Sequence, residues 1–224
     1  MGRTLFFFLL ISSILSAQSN DTVKSTKYLE DQIYVGLSII SLTNTPNDIA
    51  QNGLSNGFEL GFIKDIPLSR KGNFAFGLGL GYGRNTYFQN IKIEEINAIT
   101  QFQIAEAGFK NNKFSMHTID LPFEIRWRTS TIDKYKFWRV YAGTKLSYVF
   151  ASNAKYKESG NTIKVKGISE INDLQFGLKL AVGYGTWNFN FYYGLTDLFS
   201  SANLDQVTPI EMRDFKIGLI FYIL

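Results

Sequence analysis

Ten residues from Phe74 to Gly83 alternate without a break between a large apolar side chain and Ala or Gly. Phe74, Phe76, Leu78, Leu80 and Tyr82 occupy one parity, and Ala75, Gly77, Gly79, Gly81 and Gly83 the other. A period of two is strand geometry, because successive side chains point to opposite faces. One face of this strand is apolar and the other is almost bare. That division suits a strand with lipid on one side and a narrow, crowded interior on the other. About ten residues is the length of a tilted strand crossing a bilayer.

The same alternation defines eight segments, at roughly 32–42, 56–66, 73–84, 114–128, 136–151, 173–185, 187–197 and 213–223. In the fifth, Trp138, Val140, Ala142, Thr144, Leu146, Tyr148 and Phe150 oppose Arg139, Tyr141, Gly143, Lys145 and Ser147. In the sixth, Leu174, Phe176, Leu178, Leu180, Val182 and Tyr184 oppose Gln175, Gly177, Lys179, Ala181, Gly183 and Gly185. In the eighth, Phe215, Ile217, Leu219, Phe221 and Ile223 oppose Lys216, Gly218 and Ile220.

The connections alternate strictly: long (43–55), short (67–72), long (85–113), short (129–135), long (152–172), very short (186) and long (198–212). Tight turns on the periplasmic side and extended loops outside are the habit of outer-membrane barrels. An even number of strands puts both ends of the barrel on the periplasmic side. Trp127, Trp138 and Trp187 all fall beside short turns and form a periplasmic aromatic girdle. Tyr82, Tyr148, Phe150 and Phe215 belong to the opposite rim. The predicted fold is all-β: an eight-stranded antiparallel up-and-down transmembrane β-barrel in the outer membrane. The 85–113 connection is long for a bare loop and contains Ile91, Ile93, Ile96, Ile99, Phe102, Ile104 and Phe109. It either extends the third and fourth strands beyond the membrane or carries a short helix.

A soluble eight-stranded barrel shares the strand count and the period. It would, however, need the bulky residues inside and a solvated face outside. Gly77, Gly79, Gly81 and Gly83 would make a poor solvent-exposed strand, because Gly weakens strands. They fit a lumen without room for side chains.

Composition agrees. Arg3 followed by the apolar run Leu5–Leu15 reads as a signal peptide over residues 1–17, cleaved after Ala17, and leaves about 207 residues, enough for one domain. Residues 18–31 read as a polar periplasmic lead-in and 32–224 as the barrel. The mean hydropathy is close to zero, as in barrels whose inward residues are polar. There are no cysteines, which excludes disulfides and a lipidated N-terminal Cys. The net charge of +4 is spread along the chain without a basic run, so nucleic acid is not an expected partner.

Eight strands enclose only enough space for their own side chains. The inward parity collects Glu59, Asp120, Glu124, Arg126, Arg139, Lys145, Lys179 and Lys216. Buried charges require partners. We expect a lumen polar network of carboxylates bridged by Arg and Lys that plugs the barrel. The sharper alternative is an ion or proton path through it.

No cofactor or metal is expected: one His and no Cys cannot make a soft-ligand site. Glu94, Glu95 and Glu106 read as solvated charge. No phosphate-cradling loop is present, because the Gly79–Gly83 run lies within a strand. Ser115 and His117 share a parity near the outer end of the fourth strand, which raises a lipid A-modifying enzyme as a third function class. A Ser–His–acid set also needs a carboxylate, and none is placed to complete it. No catalytic residue is assigned. Pro122 stands mid-strand, where it has no N–H to donate, and predicts a bulge or an interrupted pairing.

The run from His117 to Trp127, with Leu121-Pro122-Phe123 followed by Arg126, resembles a strand of the Bacteroidetes outer-membrane β-barrel family that includes PorT-like proteins. The Gly-rich third strand, Tyr141-Ala142-Gly143 and the Leu15–Gln18 signal end fit the same family. The resemblance implies an outer-membrane barrel over residues 32–224. For a true PorT counterpart it also implies an accessory role in type IX protein secretion. The leading expectation is a non-enzymatic barrel that contacts outer-membrane lipid and meets protein partners through its extracellular loops or its periplasmic face.

Overall fold

The computed structural model describes residues 31–69, 71–105, 108–109, 111–129, 137–158 and 160–223. The signal peptide (1–17), nearly all of the lead-in, Glu106, most of the 129–135 turn and Leu224 lie outside these residues.

Eight long strands form the wall: β1 (Gln32–Thr43), β2 (Asn56–Pro67), β3 (Phe74–Phe88), β6 (Asn111–Arg128), β7 (Trp138–Glu158), β9 (Leu174–Tyr184), β10 (Trp187–Gly194) and β13 (Arg213–Ile223). Each pairs antiparallel with its neighbour in sequence, β13 returns to β1, and β6–β7 pairing completes the circle. The predicted barrel is therefore present, closed and without a free edge at its waist. Leu37, Phe62, Leu80, Ile125, Leu178 and Phe189 are exposed around its outside. In water this would be an apolar surface far larger than a monomer tolerates; in a bilayer it is the lipid contact.

The bare parity of β3 is filled by its neighbours. A Cβ on Gly77 would lie 2.7 Å from Arg126 Cδ, and one on Gly83 2.8 Å from Asp120 Oδ2. These glycines leave the volume that polar side chains of the adjacent strand β6 occupy.

Pro122 interrupts one ladder, as expected. The β3–β6 register runs to Leu78↔Phe123 and resumes at Gly81↔Asp120, with no pairing at Gly79 and Leu80. The neighbouring β7 ladder continues through Pro122↔Lys145. A bulge occurs elsewhere, between His117 and Thr118, which pair with Ala151 and Val149 and leave Phe150 over. The extra residue reverses the facing of β7. Arg139, Tyr141, Lys145, Ser147 and Val149 are buried below it, and Ser152, Ala154 and Tyr156 above it.

The 85–113 connection extends β3 and β6 and adds a hairpin of β4 (Ile91–Ile96) and β5 (Ile99–Ile104); no helix appears among the described residues. β8 (Asn161–Lys166) pairs with the top of β7. In the last long connection, β11 (Asn203–Leu204) pairs with β12 (Thr208–Pro209) and, in parallel, with β5 through Leu204↔Phe102. These segments close over the long-connection end. Tyr87, Phe114, Met116, Ile91, Phe102, Val165, Phe199 and Met212 form one buried apolar cluster there. Tyr87 stacks on Phe114 at 4.7 Å, and Phe199 meets both Phe114 (5.4 Å) and Phe102 (5.5 Å). The protein thus has a second hydrophobic core, a lid, above the barrel.

Candidate functional site

The inward parity of the wall strands brings charges of both signs together in layers. At the short-turn end, Arg126 and Arg128 both donate to Asp65, one to each carboxylate oxygen, and Arg126 also donates to Gln32. The Arg126 guanidinium lies 4.0 Å from the Tyr141 ring centre and 5.5 Å from that of Tyr222. Its Nε is 3.6 Å from Glu124 Oε2, which links this layer to the next.

In the middle layer Lys145 Nζ lies 3.3 Å from Glu59 Oε2 and 3.3 Å from Asp120 Oδ2. Lys179 Nζ lies 3.3 Å from Glu124 Oε1 and 3.9 Å from Glu59 Oε1. Asn190 Nδ2 donates to Glu59 at 2.9 Å. Tyr192 separates two ammonium groups, with Lys145 at 4.8 Å and Lys216 at 4.7 Å from its ring centre. At the outer end Lys216 Nζ lies 3.1 Å from Asp214 and donates to Asn85 at 3.0 Å. The Tyr87 hydroxyl donates to Asp214 at 2.8 Å, which ties the network to the lid.

Seven of the eight residues read from the sequence take part: Glu59, Asp120, Glu124, Arg126, Lys145, Lys179 and Lys216. Arg139 stands apart. It donates to the Gly185 carbonyl at 2.6 Å and stacks on Phe137, bracing the β9–β10 turn. Asp65, Arg128 and Asp214 were missed, although parity marks them. Asp65 shares the inward parity of Glu59 along β2, Arg128 that of Arg126 along β6, and Asp214 that of Lys216 along β13. With them included, five carboxylates (Glu59, Asp65, Asp120, Glu124, Asp214) face five cations (Arg126, Arg128, Lys145, Lys179, Lys216). Such balance is what a low-dielectric interior demands, since an uncompensated charge there costs several kcal/mol. The space left in the middle layer is about 10 Å³, room for roughly one water.

The three tryptophans sit exposed at the short-turn end: Trp127 opposite Phe74 and Val140, Trp138 against Tyr184 at 5.4 Å and Trp187 against Phe221 at 5.6 Å. At the other rim Tyr82 and His117 Nδ1 share a hydrogen bond of 2.7 Å, with Phe150 beside both rings. Ser115 is buried and shares a 3.1 Å hydrogen bond with Thr86.

The model of the outer membrane protein beta-barrel domain matches residues 16–200, most of the chain and seven of its eight wall strands. The chain belongs to this family. It is an outer-membrane β-barrel protein. Among curated proteins none matches it. Among solved structures it is similar to the crystal structure of Ail, the attachment invasion locus protein of Yersinia pestis. The TM-score is 0.39 at 11% identity, over 86% of this chain and 97% of that one. A second structure of Ail, in complex with the heparin analogue sucrose octasulfate, gives 0.39 at 12%, over 87% and 99%.

Proposed function

We propose that this barrel is a non-enzymatic integral outer-membrane protein with a closed lumen, whose folded lid end faces outward and presents a surface to partners. The observation that carries the reading is the filled cross-section. In the middle layer Glu59, Asp120, Lys145, Lys179 and Lys216 surround a cavity of only about 10 Å³, the buried Arg126–Asp65–Arg128 pairs lie below it, and an apolar core lies above. An ion entering this lumen would have to break buried pairs and then cross a dry layer. The Ser115 and His117 side chains are held by Thr86 and Tyr82, not by each other, which favours a structural role for both. Planar-bilayer recording tests the closed lumen: the purified protein gives no steady conductance, and steady single-channel steps would overturn it. Ser169 is exposed on the lid side, and the chain has no natural cysteine. Maleimide labelling of Ser169→Cys on intact cells tests the orientation.

A second reading, an accessory part in type IX protein secretion, is supported by the PorT-like run from His117 to Trp127. Deletion of the gene separates the two readings: export of secreted cargo stops only under the second.

A further inference from the structure

Three lysines stand side by side on three adjacent strands. Lys113 of β6 is register-paired with Lys155 of β7, and Lys155 with Lys164 of β8. Directly opposite residues share a face, so all three ammonium groups project on the same side. Lys157 and Lys166 lie on that side too, opposite Thr162 and Asn153. The other face of these strands, with Phe114, Ala154 and Val165, packs into the lid core. Like charges opposite one another destabilise a sheet. Among the described residues none of the five lysines has a carboxylate partner. Glu158 accepts from the Tyr156 hydroxyl at 2.9 Å, and Glu94 pairs with Lys92 at 2.8 Å. Lys113 Nζ lies over the Phe88 ring, 5.1 Å from its centre, but no carboxylate among the described residues offsets the row's positive charge.

The position selects the counter-charge. Lys113, Lys155, Lys164 and Lys166 border a groove of about 480 Å³ whose lower end is formed by His117 and Phe150. Next toward the waist come Ile119 and Tyr148, both exposed on the lipid-facing wall. At about 3.3 Å per residue, Lys113 lies roughly 13 Å along the strand from His117. Strand tilt reduces that to about 10 Å above the aromatic rim. A ligand seated here has one end at the hydrocarbon boundary and the other among ammonium groups. That is the shape of an anionic amphiphile. A soluble anion would have no use for the aromatic floor, and a protein partner would be met by the lid top.

We propose that the Lys113–Lys155–Lys164 row, with Lys157 and Lys166, binds the phosphorylated headgroup of an outer-leaflet lipid. The site rests on the outward orientation given above, whereas its binding test uses purified protein and is independent of orientation. The full chain in phosphatidylcholine nanodiscs is titrated with bis-phosphorylated lipid A, with the dephosphorylated form, and with inorganic phosphate or a sulfated polysaccharide alone. The expected result is binding of the bis-phosphorylated lipid that weakens as salt rises. The triple variant K113Q/K155Q/K164Q binds at least tenfold more weakly, and K113R/K155R/K164R retains binding. Heat-modifiable gel mobility reports whether each variant is folded. Should the triple Gln variant fail to fold, the salt and dephosphorylation arms on the unaltered protein still decide. Equal binding by the folded Gln variant, by dephosphorylated lipid A or at any salt overturns the proposal. So does equally tight binding of the free phosphate or the polysaccharide.

Discussion

The Pro122 ring occupies the position that a side chain on Gly79 would need. A Cβ on Gly79 would stand 2.8 Å from Pro122 Cγ and 2.7 Å from the Phe62 carbonyl oxygen. The missing ladder pairs at Gly79 and Leu80 and the missing side chain are one accommodation: the proline has no N–H to donate, and the glycine lets its ring approach.

Substituting Val at Gly79 forces this contact apart. The expected loss is about 1–3 kcal/mol, the range for overpacking a tight site. It is read as a lower urea midpoint for unfolding of the folded protein in detergent. An unchanged midpoint would mean that β3 and β6 have slack here.

Asp65 joins Arg126 and Arg128, and Glu124 lies 3.6 Å from Arg126 Nε. Asp65→Asn keeps the shape and removes the charge. Breaking a buried pair by removing one partner costs about 3–5 kcal/mol. The variant is expected to lose its heat-modifiable folded band at a clearly lower temperature. Arg139→Gln, outside the network, is expected to shift it far less.

The lid and the wall have separate cores, so they fail separately. Phe199→Ala removes a ring that contacts Phe102 and Phe114 and costs the lid about 3–5 kcal/mol. Hydrogen exchange is expected to rise across 91–104 and 195–212 while the wall strands keep their protection. Uniform loss across the wall would show that the lid is part of the same cooperative unit.

Ser115→Ala and His117→Ala each remove one half of a hydrogen bond within the wall. Lipid A from cells expressing either variant is expected to have the same mass spectrum as that from cells expressing the unaltered protein. A changed lipid A population would overturn the non-enzymatic reading.

Much of this molecule is legible along the chain. Strand alternation marked all eight wall strands, with three of them, β3, β6 and β7, running several residues beyond the periodic segment. It also marked which faces meet lipid, because a two-residue period is set by backbone geometry alone. The same parity marks every charged residue of the lumen network, including Asp65, Arg128 and Asp214. Three things were decided only by the tertiary structure. Closure of the barrel sets Lys145 of β7 between Glu59 of β2 and Asp120 of β6. No local pattern reports a distance across a lumen. The bulge at His117 reverses the facing of β7, so continuing the alternation past Phe150 would turn Ser152, Ala154 and Tyr156 outward when they are buried. The lid is built from segments far apart in sequence, with Leu204 paired to Phe102, and its apolar residues have a place only once both connections fold over the same end. Periodicity is a property of one strand; pairing partners and a shared core are properties of the closed chain.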